Sequence, residues 1–139
     1  MKRTFLAAVI SAAVLAPSDV VLAEDLRAPA VDGWYTTAQS GRGHELFNNY
    51  CAECHRPDLT GAMGPALVGA PFWQHWGGQP VETLFNFEHT KMPATNPGSL
   101  PSDQVLAITA YILERNALPA GTAPLTEARA KTLVLAKGK

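Results

Sequence analysis

Apolar residues recur at helical spacing in two long stretches of the chain, and the first of them precedes residue 51. Gly43, Phe47 and Cys51 stand four positions apart, which places them on one face of a helix. The threonine pair at positions 36 and 37 can cap its start, so the pattern predicts a helix from there to about Tyr50. Because glycine has no side chain, Gly43 also predicts that another helix crosses close to this face.

The second stretch runs from about Ser102 to Asn116 and carries one continuous apolar stripe. The stripe consists of small, branched and aromatic residues, namely Val105, Ile108, Thr109, Tyr111, Ile112 and Leu113. Pro119 and Gly121 follow and stop the helix. We expect Tyr111 to cross the first helix near Gly43.

Glycine and proline punctuate the chain between these helices and predict irregular, turn-rich loops after residues 55 and 92. Pro80 suits the first turn of a short third helix, from Val81 to His89. Its large apolar residues are expected to line the pocket of a bound group, namely Leu84, Phe85 and Phe87. An aromatic cluster of Phe72, Trp73 and Trp76 is expected to pack in the core or against a bound group. No β-hairpin pattern occurs, so the predicted fold class is all-α with three main helices.

The first 23 residues have the pattern of a secretory signal peptide rather than of a folded element. Lys2 and Arg3 precede an apolar run from Phe5 to Ala16, and small residues at the expected spacing lead to a cleavage site after Ala23. The run is shorter than the about 20 residues of a membrane span. We therefore expect a periplasmic protein with no transmembrane segment after cleavage, although an uncleaved membrane anchor is the alternative.

Charge excludes one broad class of partner. The sequence has 11 basic and 12 acidic residues, and loss of the signal peptide removes two of the former and one of the latter, leaving a net charge near −2. A nucleic-acid-binding domain has a basic patch or stripe, which this chain lacks, so no nucleic-acid partner is expected.

The chemistry of the chain is concentrated in Cys51-Ala52-Glu53-Cys54-His55. Each thiol of a C-x-x-C-H motif can add to one vinyl group of haem, and the adjacent histidine can then bind the iron. Three other uses of this spacing are weaker. A disulfide would close too small a loop to constrain the chain, a thioredoxin-like pair needs a βαβ setting, and zinc needs more ligands. We therefore predict one haem c, bound covalently through Cys51 and Cys54, with His55 as an iron ligand.

Two methionines are candidates for the sixth iron ligand once Met1 is removed with the signal peptide. Met63 follows His55 too closely in sequence to reach the opposite haem face, whereas Met92 leaves ample chain to do so. Met92 is therefore the predicted ligand, and Pro93 favours an extended backbone at this residue. Met63 and His89 are kept as alternatives.

A histidine that binds a metal usually donates its second ring N–H to a carbonyl group, which fixes its orientation. The Gly64-Pro65 turn is the expected supplier, through the carbonyl of Pro65.

Taken in this order, the motifs resemble the class I cytochrome c family. The matching pieces are Gly43-x-x-x-Phe47, the C-x-x-C-H motif, Gly64 to Gly69, Lys91-Met92-Pro93 and Ala110 to Leu113. The resemblance implies the class I fold, with three main helices and turn-rich loops around one haem, and His55 and Met92 as axial ligands. The chain accordingly divides into a signal peptide (1–23), a cytochrome c domain (24–121) and a C-terminal tail (122–139).

More narrowly, Gly33 to Thr36, Asp58 to Gly61 and Asn96 to Leu100 resemble cytochrome domains associated with periplasmic quinoprotein dehydrogenases. This similarity implies a dehydrogenase as electron donor and an oxidase or another cytochrome as acceptor. Two residues depart from the family pattern: Arg56 stands where many relatives have glycine, and Pro101 where a Ser or Thr helix cap is common.

The sequence thus favours a periplasmic electron carrier rather than an enzyme. Two alternatives stay open. One is a haem enzyme with a labile sixth ligand, of a peroxidase-like or thiol-oxidising kind, and the other is a fixed electron-transfer subunit of a dehydrogenase complex.

Overall fold

Six helices make up the regular structure of residues 33–136, which are the residues that the computed structural model describes. In chain order they are α1 (Thr37–Tyr50), α2 (Ala52–His55), α3 (Gly69–Trp76), α4 (Val81–Lys91), α5 (Ser102–Arg115) and α6 (Glu127–Thr132). The predicted all-α class and three main helices are confirmed, as α1, α4 and α5. Within the same residues, no helix is long and apolar enough to cross a bilayer. The predicted signal peptide lies outside the described residues.

The ends of the main helices follow the local sequence. Thr36 caps α1, and its side chain accepts a hydrogen bond from the backbone N–H of Gln39 at 3.1 Å. Pro80 and Pro101 precede α4 and α5 without a side-chain cap, and each has the extended backbone that proline prefers. The departure at Pro101 therefore leaves the predicted start of α5 at Ser102 unchanged.

α1 and α5 cross at Gly43, as the sequence predicted. A Cβ atom added at Gly43 would lie 1.9 Å from the carbonyl oxygen of Ala107, so only glycine fits at this point. Tyr111 packs on the same spot, with its ring centroid 5.5 Å from that of Phe47. Both helices bury their apolar faces here, and Phe47 is completely buried.

Residues 123–136, here named the C-terminal strap, form part of the core. The strap contains α6, which the sequence analysis did not predict, and it pairs through Val134 with Pro80 in an isolated antiparallel bridge. Leu125, Leu133 and Leu135 are buried. The boundary between domain and tail at residue 122 stays a prediction, but the tail is folded over most of its length.

Candidate functional site

A cavity of about 710 Å³ opens between the end of α1, α2, α4 and α5. The five residues predicted for the site all line it, namely Cys51, Cys54, His55, Pro65 and Met92. Met92 is distant from the other four residues in sequence, and the fold brings it to the same cavity. The rest of the wall is mainly apolar.

The motif is positioned by the end of α1 and by a loop that folds back on it. Cys51 ends α1, and its N–H donates to the carbonyl of Phe47 at 2.8 Å. The backbone N–H groups of Gly61 and Gly64 then donate to His55 and Cys54, each at 3.0 Å. The glycine-rich loop therefore supplies donors to carbonyl groups that the short helix α2 leaves unpaired.

His55 is buried and has a fixed orientation. Its Nδ1 lies 2.8 Å from the carbonyl oxygen of Pro65, which is the hydrogen bond that the sequence predicted. A carbonyl oxygen only accepts, so Nδ1 carries a proton, and in the neutral ring the lone pair is then on Nε2. Gly64 packs against the ring, because a Cβ atom there would lie 2.5 Å from Cε1 of His55. The imidazole is thus prepared to bind a metal through Nε2.

Both cysteines are half-buried at the cavity wall, and they are not joined to each other by a disulfide. Burial, with smaller contributions from Glu88 and Cys54, raises the pKa of the Cys51 thiol to about 12. The thiol is therefore protonated at neutral pH, in contrast to the acidic thiols of redox-active C-x-x-C pairs.

α4 provides another part of the wall with side chains one turn apart. Leu84 and Glu88 line the cavity, and Met92 follows them at the same spacing. Met92 ends α4 with extended backbone angles (φ −118°, ψ 156°), as expected for a residue before proline, and its peptide bond to Pro93 is cis. Met63 also lines the cavity, but this residue is 75% exposed, whereas Met92 is half-buried.

Aromatic residues complete the wall, with one correction to the sequence analysis. Phe87 lines the cavity as predicted and packs edge-on against Trp76 at 5.6 Å. Phe85 does not line the cavity. It points into the core and stacks on His89 at 5.4 Å, because it is one position away from the face that Leu84 shares with the cavity. Of the two tryptophans in the predicted cluster, only Trp76 lines the cavity.

Sequence reasoning missed one buried polar residue of the wall. Glu88 is buried, its Oε2 is hydrogen-bonded to the hydroxyl of Thr109, and its Oε1 has no partner among the described residues. Burial raises the pKa of the Glu88 carboxyl to about 8, and a hydrogen bond donated by Thr109 to the ionised carboxylate works against this rise. The spacing from Leu84 to Met92 was the available signal, since Glu88 lies midway on that face.

The residues of the cavity fit a covalently bound haem. Two thiols three positions apart, an imidazole with a free Nε2 and an apolar wall meet in one cavity, and such a donor set suits iron in a porphyrin. The all-α fold and this site define a class I c-type cytochrome.

Comparison with known proteins gives the family. Residues 38–112 match the family described as cytochrome c oxidase, cbb3-type, subunit III, and the chain belongs to this family. Membership implies covalently bound haem c, and Cys51 and Cys54 are the two cysteines of the sequence.

Two similar proteins are larger than this chain. Over 127 residues, 80% of this chain, it is 29% identical to the cbb3-type cytochrome c oxidase subunit CcoP of Rhodobacter capsulatus, and it covers 42% of that subunit. The protein is also similar to a chain in the crystal structure of the sulfane dehydrogenase SoxCD from Paracoccus pantotrophus, with a TM-score of 0.56 and 27% sequence identity. The matched region covers 69% of this protein and 52% of the SoxCD chain. The chain thus spans about half the length of these relatives or less.

Proposed function

We propose that this protein is a single-electron carrier in which Cys51 and Cys54 hold one haem and His55 and Met92 bind its iron. The observation that carries the proposal is that one cavity collects all four side chains, although Met92 is far from the motif in sequence. The haem supplies an iron atom that alternates between two oxidation states. Histidine with methionine is the ligand pair of cytochromes c with raised reduction potentials.

The protein side chains keep the iron site closed and rigid. The Pro65 carbonyl orients His55, and the backbone at Met92 is held by its N–H bond to the carbonyl of Glu88 at 3.1 Å. With haem bound, His55 and Met92 would hold the iron from the protein and would leave it no open position for a substrate. This arrangement favours electron transfer over bond-making catalysis.

We place this carrier in the periplasm, with a dehydrogenase as donor and an oxidase or another cytochrome as acceptor. The sequence of the first 23 residues supports the location. The names of the two relatives, an oxidase subunit and a sulfane dehydrogenase, support the two kinds of partner. The same names favour a second candidate, a fixed electron-transfer subunit of such a complex, and size-exclusion co-purification separates a bound subunit from a free carrier.

Replacement of each cavity methionine tests the ligand assignment. Met92→Ala is expected to abolish the near-infrared charge-transfer band between methionine sulfur and ferric iron, lower the reduction potential and admit cyanide rapidly. Met63→Ala is the matched control, because Met63 lines the same cavity but is exposed. Equal effects of both substitutions would contradict the assignment. A wild-type protein without the band would contradict methionine ligation itself.

A further inference from the structure

α4 connects the cavity to the C-terminal strap. Its residues Leu84, Phe87 and Glu88 line the cavity, and Met92 follows its last turn. Its first turn is bonded to the strap, since the N–H of Val81 donates to the carbonyl of Leu133 at 2.8 Å. This N–H is one of those that a helix cannot satisfy internally, and no side chain caps it.

The strap also holds the turn that leads into α4. Gly78 donates to the carbonyl of Leu135 at 2.7 Å, and the N–H of Leu135 donates to the carbonyl of Gln79 at 2.8 Å. Leu135 is fully buried at this point. Three backbone hydrogen bonds therefore fix the entry of α4, and each has its partner in the strap.

At its other end the strap is fixed to different parts of the fold. The side-chain amide of Gln39 on α1 makes two bonds to the backbone of Leu125, at 2.9 Å and 2.7 Å. Arg129 donates to the carbonyl of Gly33 at 2.8 Å, and Ser102 of α5 donates to Glu127. The strap thus ties the entry of α4 to the α1–α5 pair.

We propose that the C-terminal strap positions Met92 by holding the entry of α4, so that Leu135 acts on the iron site without touching it. The inference rests on the proposed role of Met92. α4 is a single rod of 11 residues, and its Glu88 carbonyl accepts the N–H of Met92. If the first turn of α4 lost its bonds to the strap, the whole helix could shift and Met92 would move with it.

The two ends of the strap offer a matched pair of substitutions. Leu135 and Leu125 are both essentially fully buried, but Leu135 is bonded to the turn before α4 and Leu125 to α1. Leu135→Ala and Leu125→Ala remove the same atoms at the same burial, so they are expected to reduce stability comparably. Only Leu135→Ala should loosen the contact between the strap and the start of α4.

Cyanide binding to the ferric full-length holoprotein measures how readily Met92 leaves the iron. We expect Leu135→Ala to accelerate cyanide binding about tenfold and to weaken the near-infrared methionine band, and Leu125→Ala to leave both near the wild-type values. Equal acceleration by both variants, or none by Leu135→Ala, would overturn the inference. If the alanine variants do not yield holoprotein, Leu135→Val and Leu125→Val pose the same question with smaller losses.

The outcome for the wild-type protein separates this inference from the proposed function. Absence of the methionine band in the wild type refutes the ligand assignment. Presence of the band together with identical behaviour of the two leucine variants refutes only the role of the strap.

Discussion

The carboxyl of Glu88 and the hydroxyl of Thr109 are hydrogen-bonded to each other where α4 packs against α5. Thr109 Oγ1 also lies 2.9 Å from the carbonyl oxygen of Val105. A hydroxyl has one proton, and a carbonyl only accepts, so both bonds form together only when Glu88 donates to Thr109. Burial, which raises the pKa of Glu88 to about 8, leads to the same result. Glu88 is therefore a neutral carboxylic acid at neutral pH.

This protonation makes the stability of the protein depend on pH. Glu88 ionises near 4.5 in the unfolded chain and near 8 in the folded one, so the folded state holds the extra proton between these values. The contribution of Glu88 to the free energy of unfolding is complete below about pH 4.5. The free energy of unfolding should therefore fall as the pH rises from there through about 8. Glu88→Gln keeps a donor for Thr109 and cannot ionise, so its stability should not fall in this way. Guanidinium unfolding of the two reduced holoproteins at several pH values tests this, and parallel curves would refute it.

The crossing of α1 and α5 should tolerate no side chain at Gly43. Gly43→Ala places a Cβ atom against the backbone of Ala107, which cannot move without separating the helices. We expect a loss of about 3 kcal/mol or more. Gly41→Ala is the control on the same helix, because a Cβ atom there meets nothing within 4 Å. It should stabilise the helix by up to about 1 kcal/mol, and thermal unfolding that orders the two variants the other way would contradict this packing.

Gly64 should matter for the chemistry of His55. A methyl group at this position pushes on the imidazole ring and weakens its bond to the Pro65 carbonyl. Because that bond increases the basicity of the ligand, its loss is expected to raise the reduction potential and to reduce the yield of haem-attached protein. Spectroelectrochemical titration measures the potential, with Gly41→Ala again as the control. An unchanged potential and an unchanged yield would show that the ring is not held by this turn.

Arg56 has a backbone conformation that suits glycine. Its angles, φ 64° and ψ 152°, lie in a region that side chains strongly disfavour. Arg56→Gly should therefore stabilise the protein by about 1 kcal/mol, after allowance for the greater freedom of glycine in the unfolded chain. Arg56→Ala removes the same charge but keeps Cβ and should give no such gain. Equal effects in chemical denaturation would mean that the charge, and not the backbone, is responsible.

The sequence predicted the main helices because their apolar residues form regular stripes. It placed α5 at Ser102 to about Asn116, against Ser102–Arg115 in the structure, and it ended α4 at His89, against Lys91. The crossing at Gly43 was also predictable, since a glycine on a buried helical face allows close approach. That the site residues meet in one place was predicted from motifs with known chemistry and not from periodicity.

Other features depend on partners that are distant in the chain. The strap is held by backbone hydrogen bonds, such as that from the N–H of Val81 to the carbonyl of Leu133. Every residue type can form such bonds, so the hydrophobic pattern of the sequence does not predict them. Glu88 was missed for a related reason. Periodicity assigns a carboxyl to the surface, and only its bond to Thr109 on another helix explains its burial.

The pairing of Gln39 with Leu125 has a consequence for the rate of folding. These residues are 86 positions apart, and closing so long a loop costs entropy before any contact compensates for it. Topologies rich in such contacts fold slowly. A haem anchored at Cys51 and also bound by Met92 would close an inner part of that loop first. We therefore expect haem attachment to speed the docking of α6, as well as to stabilise the folded protein.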